Sequence, residues 1–426
     1  MLAACPAARA DEPKPLAEAL AAAVDLPTPK DRAAAAAALA TRADADLPSL
    51  LAACRGFGSF ERVEPGAATQ TVRLFVVDAV EPAEVATYVP KGYAPGTPAP
   101  LMLALHGAGG SGPGEAPRWT AVAEALGMLV VAPTGAGASG GYGFTERERR
   151  AALAALRWAR RRFDVDENRV FVAGESRGGH MAWDLALRNP GLFAAVVPMI
   201  GAPRVKADNG QNNLRFVENL VATPIRDLMG AKDDQKAVAN VRLAFERLKA
   251  LGAKDAVLVE FPEQGHDFDF GAVDWATFLG PLRRDPAASR VVRRAATAGE
   301  GRALWAEILA VDPAVTEVVA PAQPPGWERM SAEAQRKWLE AEVERRTARL
   351  EVTRKAPGAF VAQGAGVRRF RLLLPEGAFD AKKPVAVTFN GATVSRAATP
   401  LKAVLLADFV ERFDRTLLPV AEVLVP

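Results

Sequence analysis

Six residues, Gly174-Glu175-Ser176-Arg177-Gly178-Gly179, constrain this chain more than any other stretch. They stand directly after the apolar run Val170 to Ala173 and directly before a helical pattern, Gly178 to Arg188. A G-x-S-x-G at a strand-to-helix junction uses its glycines where strand and helix approach closely. It holds the serine in a strained turn with the hydroxyl exposed at the sheet edge. The same placement puts Ser176 at a helix N-terminus, where N–H groups and the helix dipole favour a developing negative charge. The competing reading is a plain turn serine, since the bare motif also arises by chance; the flanking strand and helix speak against it.

The surrounding rhythm fits such a junction. From about Thr69 short β-branched runs begin: TVRLFVV, EVATYVP and, after a proline-rich loop, PLMLALHG. Helices and strands then alternate: a helix near Trp119 to Leu126, GMLVVAP, a helix from Glu146 to Arg162, RVFVAGES, the Gly178 helix and FAAVVPMIG. ATPIRDLMG follows as a strand, with Arg226 and Asp227 awkward inside a core, then a helix from Gln235 to Leu251 and the strand AVLVEFP. Alternation of this kind implies right-handed crossovers and a mainly parallel sheet with helices on both faces, an α/β fold.

Four segments are expected: 1–10, a signal-peptide remnant; 11–66, Ala- and Leu-rich, with two short helices after Pro27 and no chemistry; 67–285, the α/β domain; and 286–426. The last contains the proline-rich linker APAQPPG, a charged helix from Ser331 to about Leu350, VRRFRLLLP, and a hairpin turning at Asn390-Gly391. It reads as a β-rich accessory domain of the sandwich type. The start MLAACPAARADEP ends in Ala8-Arg9-Ala10 like a secretory signal, and Leu2-Ala3-Ala4-Cys5 resembles a lipoprotein box. Export, to the periplasm or beyond and with or without a lipid anchor, is the expectation, and a cytoplasmic location stays open.

Composition narrows the function. Hydrophobic residues make up 50% and charged residues 24%, and no window supplies the roughly eighteen uninterrupted apolar residues of a membrane span. The 53 basic and 50 acidic side chains are spread along the chain. The densest basic run, Arg147 to Arg162, reads as the solvated face of an amphipathic helix rather than a nucleic-acid patch. Cys5 and Cys54 are the two cysteines; they form no CxxC and no Cys/His cluster, so neither a structural zinc site nor a disulfide framework is expected.

A serine hydroxyl needs a neighbouring base to attack at neutral pH. The chain has three histidines. His180 lies one turn beyond Ser176 on the same helix and reads as a packing residue; His106 ends an earlier strand. His266, in Glu263-Gln264-Gly265-His266-Asp267-Phe268, follows the last strand of the sheet and agrees with the order serine, acid, histidine. The acid then belongs in Gly230-Ala231-Lys232-Asp233-Asp234, with Asp233 preferred to Asp234. The glycine-rich Leu105-His106-Gly107-Ala108-Gly109-Gly110 can aim backbone N–H groups, that of Ala108 among them, at an oxyanion, with the N–H of Arg177 as second donor. It lacks the Lys-Ser/Thr ending of a phosphate loop.

HGAGG, GESRGGHMAWDLALRNPGLFAAVVPMIGAP, GAKDD and QGHDF, in this order, resemble the esterase branch of the α/β-hydrolase superfamily. The likeness covers roughly residues 70 to 285. It is nearest to secreted bacterial polyhydroxybutyrate-depolymerase-like and feruloyl-esterase-like proteins and to predicted peptidases of the prolyl-oligopeptidase group. Two departures stand out: Met229 where many relatives carry histidine, and the charged pair Glu175 and Arg177 around the nucleophile. The resemblance implies acyl transfer to water from a small or polymer-linked ester, through an acyl-enzyme and without metal or cofactor. A peptidase with the same three residues is the alternative, and a non-catalytic binding protein a further one. The acyl and alcohol groups and the oligomeric state stay open. Residues 203–223 fall where such enzymes carry a lid, and no roles are assigned there.

Overall fold

Strands rich in Val, Leu and Ala, buried on both faces, build the centre of the molecule. In the computed structural model, which describes residues 14–135, 145–205, 212–316 and 323–426, eight strands form one sheet. They are β1 (Gly66–Val76), β2 (Ala79–Val89), β3 (Ala99–Leu105), β4 (Leu129–Pro133), β5 (Val165–Glu175), β6 (Ala195–Met199), β7 (Ile225–Gly230) and β8 (Ala256–Phe261). Their order is β1-β2-β4-β3-β5-β6-β7-β8. The β1–β2 and β2–β4 pairs are antiparallel, and every later pair is parallel. One apolar cluster, with Leu103, Val172, Trp183 and Phe216, and a second, with Met102, Trp119, Phe171 and Leu228, pack as separate layers around these strands. This is the mainly parallel α/β architecture expected from the alternating pattern.

Among the described residues three helices precede the sheet: the two expected after Pro27, α2 (Pro29–Ala40) and α3 (Leu47–Arg55), and before them α1 (Leu16–Asp25), which was not anticipated. Thr28 and Asp46 cap α2 and α3 by accepting from the N–H groups of Asp31 and Ser49. Helices α4 (Gly112–Glu115), α5 (Thr120–Leu126), α6 (Glu146–Arg162), α7 (Arg177–Arg188), α8 (Gln235–Ala250) and α9 (Trp275–Leu279) accompany the sheet. Helix α6 opens with a capping box between Thr145 and Glu148, which fixes its first residue where the sequence indicated.

Beyond the sheet come a five-stranded sheet, with Arg290–Ala295, Ala348–Ala356, Ala359–Ala365, Val385–Phe389 and Ala392–Arg396, and a four-stranded one, with Arg302–Ala303, Ala306–Val311, Val367–Pro375 and Pro419–Val425. They enclose their own core of Ile308, Leu350, Val352, Phe370 and Val387. The charged helix, α10 (Ala332–Arg345), ends earlier than expected. From Ala348 the side chains alternate buried and part-exposed, with Ala348, Leu350 and Val352 inward, so ARLEVTRKA is a strand. A last helix, α11 (Lys402–Arg412), was not anticipated; Leu405, Leu406, Phe409 and Val410 pack with Leu20, Leu39 and Leu50 of α1 to α3. The start of the described chain and its end thus share one core.

The basic run of α6 corrects a further expectation. Its C-terminal arginines are not a solvated face. Arg157 donates to the carbonyls of Val24, Val410 and Glu411, Arg160 to those of Arg412 and Phe413, and Arg161 pairs with Asp25. The last carbonyls of α1 and α11 carry the negative ends of their helix dipoles, so guanidinium groups are the natural partners.

Among the described residues no helix is long and apolar enough to cross a membrane, and no three His, Cys, Asp or Glu residues could together hold a metal ion. The expected signal and Cys5 lie outside the described residues, as do the centre of the 203–223 loop and part of APAQPPG.

Candidate active site

Ser176 joins β5 to α7 with φ 53° and ψ −114°, a backbone conformation that an L residue holds only when its surroundings enforce it. The enforcement comes from glycines. A Cβ on Gly178 would stand 2.0 Å from the Leu105 carbonyl oxygen, and one on Gly174 would stand 2.2 Å from the Gly178 carbonyl oxygen. The Ser176 N–H donates to the Met199 carbonyl at 2.8 Å, and its carbonyl accepts from the His180 N–H at 3.0 Å. The turn is therefore tied to β6 and to its own helix, with the backbone of β3 packed close against Gly178.

The loops after β7 and β8 are pinned together in the same way. Ala231 donates to the Phe261 carbonyl and Lys232 to that of Gln264, both at 2.9 Å, while a Cβ on Gly230 would meet the Gly265 carbonyl oxygen at 1.9 Å. This close approach brings His266 between the other two residues. Its Nε2 lies 2.8 Å from Ser176 Oγ, and its Nδ1 lies 2.8 Å from Asp233 Oδ2. Asp233 is nearly buried, at 9% side-chain exposure, whereas the imidazole is 53% exposed and open to an incoming molecule. Asp234 turns away: its carboxylate accepts from the N–H groups of Lys236 and Ala237 and caps α8.

The other two histidines have backbone partners. His106 is buried, with Nδ1 2.7 Å from the Gly107 carbonyl oxygen and Nε2 accepting from the Gly135 N–H at 2.7 Å. His180 Nδ1 lies 2.7 Å from the Ala202 carbonyl oxygen, and burial keeps its pKa below the usual histidine value against the pull of that backbone hydrogen bond.

The glycine-rich loop faces the serine. A Cβ on Gly107 would lie 3.5 Å from Ser176 Cβ, and Ala108 beside it is exposed. Arg177 opens α7, whose first N–H groups point out of the helix end. Around this centre sits a cluster that sequence reading missed. Arg118 pairs with Glu175 and with Glu115, and its guanidinium covers the rings of Phe268 and Phe270. Burial pushes Glu115 up to about 7, opposed by Arg118 and reinforced by Glu175. Only Glu175 carried a signal, as a charge beside the nucleophile motif; nothing in Glu115-Ala-Pro-Arg118 shows where it folds.

The model of the Esterase family matches residues 80–243. Feruloyl esterase C of Emericella nidulans is 30% identical over 255 residues, 55% of this chain and 91% of that enzyme. The chain belongs to the α/β-hydrolase esterase family. Solved structures similar to this family member include a thermostable esterase, at 22% identity and TM-score 0.41, covering 51% of this chain and 63% of the other. The acylaminoacyl peptidase of Pyrococcus horikoshii is another, at 17% identity and TM-score 0.39, covering 47% and 38%.

Proposed function

We propose that this esterase-family member hydrolyses carboxylic esters through an acyl-enzyme on Ser176, with His266 as general base and Asp233 as the orienting acid. The observation that carries the reading is the unbroken chain Ser176 Oγ, His266 Nε2, His266 Nδ1, Asp233 Oδ2, each contact 2.8 Å. With Nδ1–H donating to the carboxylate, Nε2 is left to take the serine proton as Oγ attacks the ester carbonyl. The imidazolium so formed is stabilised by Asp233 and returns its proton to the leaving alcohol. Water then attacks the acyl-enzyme by the same route, and Ser176 is regenerated.

The carbonyl oxygen becomes an anion in each half-reaction. The N–H groups of Arg177, at the start of α7, and Ala108, on the loop facing Ser176, are the donors for it; such a donor typically contributes on the order of a hundredfold to a thousandfold in rate. We assign this chemistry to residues 67–285, and give 286–426 an accessory role. The substrate class is a small or polymer-linked carboxylic ester, and the feruloyl esterase relative makes esters of aromatic acids the first to try. Feruloyl and p-nitrophenyl esters, from acetate to octanoate, are to be assayed with wild type and Ser176→Ala in parallel, with a peptide anilide alongside. Ester turnover lost in the variant bears the proposal out. Retained turnover overturns it, and cleavage of the anilide alone moves the reading to a peptidase.

A further inference from the structure

Glu175 ends β5 one residue before Ser176, and its charge is not left to solvent: its carboxylate pairs with the Arg118 guanidinium. The same guanidinium reaches Glu115 Oε1 at 3.3 Å. Its Cζ lies 5.2 Å from the ring centre of Phe268 and 5.8 Å from that of Phe270. Phe268 is two residues past His266. Phe270 is in turn fixed by stacking on Trp275 at 5.1 Å and by an edge contact with the buried Trp119 at 5.2 Å. On the other side of Glu175 stands the glycine-rich loop, with the ideal Cβ position of Gly107 3.8 Å from Glu175 Oε1.

One side chain thus touches, directly or through Glu175, all three segments that meet at the serine: the stretch after the glycine-rich loop, the turn bearing Ser176, and the loop bearing His266. The imidazole is half exposed, so its loop needs support from behind. A planar guanidinium can hold two carboxylates at its edge and aromatic rings on its face at once, which an ammonium cannot.

We propose that Arg118 is a positioning residue that locks the His266 loop to the Ser176 turn. This rests on the serine-hydrolase reading above. Neither Arg118 nor Phe268 takes part in proton transfer; the arginine sets the angle and distance at which Nε2 meets Oγ.

The test is active-site labelling with a fluorophosphonate, which counts reactive serines, followed by p-nitrophenyl ester kinetics per labelled site. Arg118→Gln and Phe268→Leu are each expected to lower kcat per labelled site about ten- to a hundredfold, the loss that misplacement of a reacting group by an ångström or less brings, with KM within about threefold of wild type. Arg118→Lys should recover only a minor part of the loss, because it restores charge without the plane. If Arg118→Gln does not fold, Phe268→Leu carries the test, since both ion pairs survive in it. Unchanged kcat per labelled site, with only thermal stability or the labelled fraction reduced, reduces Arg118 to a structural residue and overturns the proposal. A raised KM alone makes it a substrate contact and also overturns it. Failure of wild type to label at Ser176 overturns the underlying hydrolase reading, and this inference with it.

Discussion

Asp233 and Asp234 are adjacent in the chain and serve different partners: Asp233 Oδ2 lies 2.8 Å from His266 Nδ1, while Asp234 Oδ1 accepts from the N–H groups of Lys236 and Ala237 at 3.0 and 2.9 Å. Their substitutions should therefore separate cleanly. Asp233→Asn leaves the loop intact but favours the wrong imidazole tautomer, and kcat on an ester is expected to fall by roughly four orders of magnitude. Asp234→Ala removes a helix cap, which costs about 1 kcal/mol in urea unfolding and leaves kcat within twofold. The two measurements exchanged would reassign the acid.

The strained serine depends on a backbone approach that no side chain can enter. In Gly178→Ala the new methyl carbon would stand 2.0 Å from the Leu105 carbonyl oxygen, so β3, α7 or the turn itself must move. We expect a loss of roughly 1–3 kcal/mol in stability together with most of the activity. Gly114→Ala is the matched control: its nearest neighbour would be Ser111 Oγ at 3.6 Å, ordinary contact, and both stability and kcat should hold.

Inside β7, Asp227 is fully buried, with one carboxylate oxygen taking the Trp183 Nε1–H at 2.8 Å and the other without a hydrogen-bond partner among the described residues. Burial holds its pKa well above the usual carboxylate value, aided by the charge of Glu260 and opposed by the Trp183 hydrogen bond. A pKa raised in the folded state means that the neutral group's contribution is complete below the unfolded pKa, near pH 4, and is lost as pH climbs toward the folded value. Asp227→Asn keeps the tryptophan bond without a charge. It should raise the urea midpoint over wild type at pH 8 and lose that advantage by pH 3.5; equal gains at both would refute the titration.

The sheet, the serine turn and His266 were legible in the sequence because each rests on local rules. Parallel strands are continuous apolar runs, the turn demands its glycines, and with three histidines in the chain only His266 follows the last strand. What lay beyond the sequence depends on contacts between distant segments. Asp227 looks wrong in a core strand until Trp183 is placed beside it. Arg157 and Arg160 look solvated until the ends of α1 and α11 arrive. Leu350 fits both a helix and a strand, and the partner strand Arg290–Ala295 decides it. Arg118 gives no local sign, since its ring partners are some 150 residues further along the chain.

The C-terminal β-rich region is joined to the eight-stranded-sheet region by charge as well as by apolar packing, and Glu218 is a pivot. It lies buried in the stretch Asn213–Leu220 and accepts from Arg294 and Arg349, on two strands of the five-stranded sheet, while Arg294 also holds Glu344 of α10. Burial works against the charged form of Glu218, yet the hydrogen bonds and charges of Arg349 and Arg294 outweigh it and hold the carboxyl at about 2. A depressed pKa contributes stability that is complete above the unfolded value, about 4.5, and drains away as pH falls toward 2. Wild type should accordingly lose stability through this window. Glu218→Gln leaves Arg294 and Arg349 short of their shared anion, and is expected to cost roughly 3 kcal/mol at pH 7 and to flatten the acid limb of the stability profile. Chemical unfolding followed by tryptophan fluorescence at pH 7 and pH 3 checks both. A variant as stable as wild type at pH 7 would show that the Glu218 ion pairs add nothing measurable to the junction.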